Sequence, residues 1–256
     1  MRGCSFNGLK LGGEWVKVNL HGMRASQATF KAISFTNCSM QHAEFDDCTF
    51  ASATLQVSPL TKTQWRSCKL SGVTFASLDM CDSVIISTSL ANVKFLDGVN
   101  LLRLSLQDVS LSHVTVTRAP TTMKHFTTAM CNASFTNVTV ASSTFDNLDL
   151  SDATLTNSSS KSTHWNTLSI ERAKVNGCAF EDCVFKSAHM RSVTWSNCRL
   201  EKCKLLLCDL RSDVFKGCVL LDVIWGLGSQ EGEEQFQVKY HSSLFTCHTS
   251  QDERHA

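Results

Sequence analysis

An apolar residue recurs at every fifth position along most of the chain. From Phe30 to Phe95 the multiples of five read Phe, Phe, Met, Phe, Phe, Leu, Leu, Trp, Leu, Phe, Met, Ile, Leu and Phe without interruption. The same frame holds from Met130 to Trp225, with Ser160 as its one polar member. A period of five matches neither the helical repeat of about 3.6 nor the strand repeat of about 2, so the chain must turn a corner every five residues. That pattern predicts a solenoid, whose core is a long column, and one continuous domain.

The other columns describe one side of a polygonal coil. Two residues before the centre the column is small, with Ala28, Ala43, Cys48, Ala53, Cys68 and Ala153 among its members. Ser or Thr often stands between, as at Ser34, Thr49, Thr54 and Ser134. Two residues after the centre come turn formers: Asn37, Asp47, Asn132, Asn137, Asn147, Asp152, Asn157, Asp182 and Asn197, with Gly72, Gly177 and Gly217. All five tryptophans, Trp15, Trp65, Trp165, Trp195 and Trp225, lie in the central column.

The segments Cys208-Asp209-Leu210-Arg211-Ser212, Leu148-Asp149-Leu150-Ser151-Asp152 and Leu78-Asp79-Met80-Cys81-Asp82 carry the repeat most fully. They resemble the repeat of the pentapeptide-repeat proteins, and the resemblance extends from about Trp15 to Trp225 in degenerate form. It implies an all-β, right-handed quadrilateral β-helix of about ten coils, with four five-residue sides per coil. Coils stacked at the strand spacing of about 4.8 Å give a rod on the order of 50 Å long. Residues twenty apart then become vertical neighbours: Cys178, Cys198 and Cys218 in one ladder, Cys183 and Cys203 in another, and Trp165, Phe185, Leu205 and Trp225 in a third.

The frame slips once. After Phe95 the apolar positions move to Leu101, Leu106, Leu111 and Val116, then disappear until Met130, through a segment that includes Arg118, Pro120, Lys124, His125 and Phe126. An extra residue near Gly98 predicts a bulged corner. The Pro120 segment predicts a loop, and Arg118, Pro120, Lys124 and His125 form the candidate partner-binding site, because insertions in solenoids map to surface loops. The plain alternative is a distorted corner without a partner. Residues 1–14 read as an N-terminal cap or weak first repeat, 15–225 as the β-helix with an irregular segment at 96–129, and 226–256 as a polar tail. In that tail Phe236, Val238 and Tyr240 alternate with polar residues, a candidate strand to cap the last coil or to pair with a second copy.

Thirteen cysteines would suggest a disulfide framework in a secreted chain. Nine of them, from Cys38 to Cys218, lie in the small column that alanine shares, so they read as apolar fillers suited to a reducing cytosol. Cys198, Cys203, Cys208 and Asp213 share one coil and could face inward as metal ligands. Tetrahedral zinc needs sulfur at about 2.3 Å, however, and Leu200, Leu205, Leu210 and Phe215 fill the space between those sides. No metal and no cofactor is expected. The Asn-X-Ser/Thr matches at Asn37, Asn132, Asn137 and Asn157 follow from the turn column itself.

No apolar run approaches the roughly 20 residues that span a bilayer. The net charge of +1 gives no prior for nucleic acid, and no motif of an enzyme family occurs. The expected function is therefore a non-catalytic interaction rod with a protein partner, monomeric or paired through its C-terminal end. The resemblance to pentapeptide-repeat proteins implies a cytoplasmic scaffold, or an effector that bacteria secrete into host cells. The first alternative is a DNA-mimicking protector of topoisomerases that confers quinolone or microcin tolerance. Mimicry calls for a strongly negative surface, yet residues 171–216 hold nine Lys or Arg against six Asp or Glu. The second alternative is a repeat fragment of a longer effector enzyme.

Overall fold

The computed structural model describes residues 1–96, 98–116, 128–226, 235–241 and 244–246. All regular structure among them is β, and the strands stack in parallel at intervals of twenty residues, as in Phe45 beside Trp65 and Trp65 beside Ile85. Four sides of five residues therefore close each coil. One wall is a 12-stranded sheet. Two more walls merge into a 20-stranded sheet, because the strands Lys10–Val16, Thr29–Thr36 and Val219–Gly226 run through the corner between them. The fourth wall is held by isolated bridges such as Asn19 to Ser39 and Ser169 to His189. The result is a β-solenoid of about ten coils.

Corners recur every five residues because one residue in five is left-handed. Each predicted turn former adopts positive φ, from Asn157 at 49° to Gly72 and Gly177 at 63°. Asn and Asp tolerate this region because their short side chains bond locally, and Gly carries no Cβ to clash. The freed N–H is not wasted: Asn37 donates to Gln56 O of the next coil at 3.1 Å, and Asn157 to Asn176 O at 2.9 Å. The corner that leaves the bridge wall also closes on itself, with Met23 N donating to Leu20 O at 3.0 Å and Ala43 N to Met40 O at 3.1 Å.

Val57 breaks the corner rule. It holds φ 50° although its β-branched side chain disfavours that region, and its side chain is exposed and packs on no core. Val57→Asn is expected to raise stability by about 1 kcal/mol, read as a higher denaturant midpoint at unchanged slope. An unchanged midpoint would mean that the corner does not hold this conformation in solution.

The small column does more than fill space. Its backbone N–H groups on several walls find no carbonyl, and the residue one coil above supplies an acceptor instead. Cys38 N donates to Ser58 Oγ at 3.1 Å, Cys68 N to Thr88 Oγ1 at 3.2 Å, and Val138 N to Ser158 Oγ at 3.1 Å. The thiols in turn donate downward, Cys48 Sγ to Ala25 O at 3.4 Å and Cys203 Sγ to Phe180 O at 3.4 Å. Cysteine is thus an apolar filler that also satisfies buried backbone, which alanine cannot do. The twelve described cysteines are all free. Burial pushes the Cys208 thiol up to about 11, which keeps it protonated and unreactive.

Inside the coils the central column stacks. Phe45 lies on Trp65 at 4.2 Å between centroids, Phe30 on Phe50 at 4.4 Å, and Phe145 on Trp165 at 4.3 Å. Trp165, Phe185, Leu205 and Trp225 form the ladder that the twenty-residue interval implies. The coil between these aromatic stacks contributes only aliphatic residues, including Leu101, Leu106, Leu111 and Val116. At the N-terminal end Phe6 pairs with Ala25, nineteen residues on, and the twenty-residue register begins after a shift between Leu11 and Gly13. Gly12 is fixed by that shift: a Cβ there would lie 2.8 Å from Lys31 O.

Candidate interaction surface

Beyond the first coil, both insertions into the described coils fall at one corner. On the wall built from Leu55, Phe75, Phe95, Val116, Phe145 and Trp165 the steps are twenty residues up to Phe95, twenty-one to Val116, twenty-nine to Phe145, and twenty again to Trp165. The extra residue lies between Phe95 and the bridge of Asn100 to Asp79, beside Gly98 with φ 69°. The nine extra residues lie between Val116 and Thr128, which pairs with Leu148. Both are therefore spliced into the corner between this wall and the bridge wall. The last coil ends at the same corner, after Trp225 and Gly226. Five coil steps separate the long insert from this exit, about 24 Å at the strand spacing.

The edge between them is mixed in character. Asn166 donates to Asp146 Oδ1 at 2.7 Å, Lys186 and His189 are exposed, and Leu207 projects with 39% of its surface accessible. Beyond it on the bridge wall, Asp209 accepts from Arg211 Nη2 at 2.7 Å and from Arg191 Nε at 2.5 Å. The hydrogen bond from Arg211, helped by Arg191, holds the Asp209 carboxyl well below the usual carboxylate range. The same wall carries Arg172 on Asp152 at 2.7 Å and Arg103 on Asp82 at 2.5 Å. Arg103 holds the Asp82 carboxyl down at about 2. Each pair is solvent-exposed and screened by water, so the ladder shapes the surface potential more than it stabilises the rod.

These pairs escaped the sequence reading although the signal was present. Asp152 and Arg172, Lys161 and Glu181, and Arg24 and Glu44 are each separated by the coil length of twenty. The predicted loop residues Arg118, Pro120, Lys124 and His125 lie outside the described residues. Phe236, Val238 and Tyr240 lie on the strand Gln235–His241, which runs antiparallel to Val219–Gly226 and sets them opposite Trp225, Val223 and Leu220. The strand Leu244–Thr246 continues in the same sense against Val214–Lys216. Of the four residues considered as metal ligands, Cys198, Cys203 and Asp213 are buried and Cys208 is half-buried. The Cys198 thiol donates to Ser196 O at 3.2 Å and the Asp213 carboxylate is taken up by Val193 N and Trp195 Nε1. No group of three or more His, Cys, Asp or Glu side chains suited to a metal occurs among the described residues.

The sequence model described as pentapeptide repeats (8 copies) matches residues 16–51. Full-length QnrB1, a plasmid-mediated fluoroquinolone resistance protein, superposes with a TM-score of 0.57 at 14% identity, over 70% of this chain and 87% of its own. A trypsin-treated variant of QnrB1 gives 0.55 at 13% identity, over 72% and 90%. HetL, a pentapeptide-repeat protein involved in heterocyst differentiation regulation from the cyanobacterium Nostoc sp. strain PCC 7120, gives 0.31 at 15% identity, over 84% and 90%. No curated protein matches the sequence significantly. Residues 16–51 thus carry pentapeptide repeats, and the β-solenoid has the fold of QnrB1. At these identities the likeness to QnrB1 is one of fold. No described helix is long and apolar enough to cross a membrane.

Proposed function

We propose that the chain is a non-catalytic protein-interaction rod whose partner engages the corner where the insert at 117–127 and the C-terminal segment leave the coils. The observation that carries this reading is that both insertions after the first coil, beside Gly98 and after Val116, fall on the edge at which the C-terminal segment also leaves. A random scatter of insertions would burden all four corners equally. Arg118, Pro120, Lys124 and His125 would supply a basic contact at one end of the edge, and the antiparallel strand Gln235–His241 would close the last coil at the other. The setting is a bacterial cytoplasm, or a host cell if the protein is delivered as an effector.

Affinity capture from bacterial and eukaryotic lysates tests the reading, with the full chain compared against a variant in which residues 117–127 are cut back to a regular corner. Loss of a captured protein from the folded variant is expected. Capture that survives the deletion would place the contact elsewhere on the rod.

The fold likeness to QnrB1 favours one second reading, protection of a topoisomerase by imitation of duplex DNA. The charge balance argues against it, since the net charge is +1 and duplex DNA carries one negative charge per roughly 1.7 Å of axis. Gyrase supercoiling in the presence of a quinolone separates the two: restored supercoiling on addition of this protein would support the mimic and displace the first reading.

A further inference from the structure

The middle of the rod is not filled. A cavity of about 60 Å3 lies in the core between the two aromatic stacks. Two features of the sequence produce it. The coil that carries Leu101, Leu106, Leu111 and Val116 presents only aliphatic side chains where neighbouring coils present rings. Two steps above, the ladder Leu111, Val140, Ser160, Phe180 is interrupted by Ser160, a serine in a large-residue position.

The cavity is apolar and has no means of holding water. Of the two buried serines that line it, Ser158 is already committed to the backbone, with its hydroxyl donating to Thr156 O at 3.0 Å and accepting from Val138 N at 3.1 Å. Ser160 has the Cys183 thiol at 3.4 Å. A buried water needs two to four polar partners, and Ser160 alone offers fewer. We propose that this cavity is a dry binding site for one small apolar guest, of the size of xenon or dioxygen. An engineered apolar cavity of about 150 Å3 takes benzene, so a space less than half as large excludes the ring and admits a gas atom or a diatomic molecule. Val116 and Met130, which flank the long insert on either side, belong to the lining. Binding of the guest tightens the coil that lacks rings.

Xenon is the probe, with the full chain. Xenon-129 NMR and a xenon-pressurised crystal are expected to show one bound atom beside Leu111, Val140 and Ser160, with slower amide hydrogen exchange from Leu101 to Val116 under xenon. Benzene is expected not to bind. Ser160→Leu should fill the space and lower xenon affinity by at least about tenfold, whereas Ser160→Ala keeps the cavity and keeps the xenon. Val140→Leu narrows the same space from the coil below and serves if Ser160→Leu does not fold. A water molecule on Ser160 in place of xenon, benzene binding, or xenon affinity unchanged in both leucine variants would overturn the proposal.

Discussion

Phe185→Asp is expected to unfold the C-terminal coils. Phe185 is 2% exposed and sits between two floors of the core, with Trp165 stacked on one side at 6.2 Å and Leu205 in register on the other. Phe180 meets it edge-on from the neighbouring wall at 5.7 Å. Removing such a ring costs about 3–5 kcal/mol through lost burial and the cavity left behind, and a carboxylate in its place adds the cost of an unpaired buried charge. In a solenoid each coil contacts only its neighbours, so two interfaces fail together and the damage spreads toward the C-terminus before it reaches the N-terminal coils. The variant should keep the fluorescence of Trp65 in a native environment while that of Trp165 and Trp195 moves to longer wavelength. Lys186→Asp, one residue away on the exposed face, should change stability by no more than about 0.5 kcal/mol. Equal and small effects of the two substitutions would mean that the five-residue frame is displaced by one in this coil.

The frame was legible in the sequence because every side of the coil repeats the same local chemistry. A large residue inside, a polar residue either side and a turn former at the corner are each decided within five residues, and the left-handed φ of Asn37, Asp47 and Asn157 follows directly. The vertical register needed only the count of sides per coil, and the ladder from Trp165 to Trp225 follows from it. What the column view hid is whatever depends on two coils at once. Ser58, Thr88 and Ser158 stand in the small column, and each accepts a backbone N–H from twenty residues earlier. The charge pairs Asp152–Arg172 and Asp82–Arg103 join residues twenty and twenty-one apart and are equally invisible along a single strand of sequence. The shared corner was one step further removed. It emerges only when the insertions beside Gly98 and after Val116 are placed on the polygon, and both then fall on the corner at which Gly226 also leaves. The core cavity lay beyond reach altogether, since it depends on how ring sizes in adjacent coils fail to meet.

The protein is expected to grow more stable as the pH falls from 8 toward 5, against the habit of proteins held by carboxylate ion pairs. Asp213 stands in the small column of the last coil, fully buried, where the three coils beneath place Val193, Ala173 and Ala153. Burial pushes its carboxyl up to about 7, against the pull of hydrogen bonds from Val193 N at 2.9 Å and Trp195 Nε1 at 3.3 Å, and the nearby charge of Asp209 adds to the rise. A carboxyl with a folded pKa near 7 and an unfolded value of about 3.9 favours folding in its protonated form. Its contribution is complete below pH about 4, is lost progressively as the pH rises, and is gone above pH about 7, a difference of roughly 2–4 kcal/mol. The pairs that hold Asp82 and Asp209 low act in the opposite sense, but they are lost only as pH falls into the acid range, so the two effects occupy different windows. Asp213→Asn keeps an acceptor for the Val193 N–H and carries no charge at any pH. Denaturant midpoints measured from pH 5 to pH 8 should therefore fall with pH in the natural protein and stay level in the variant. Because Trp195 donates its indole N–H to this carboxyl, its emission should titrate over the same interval and lose that titration in Asp213→Asn. Parallel curves for the two proteins would show that Asp213 is ionised throughout, and that the last coil admits enough water to solvate it.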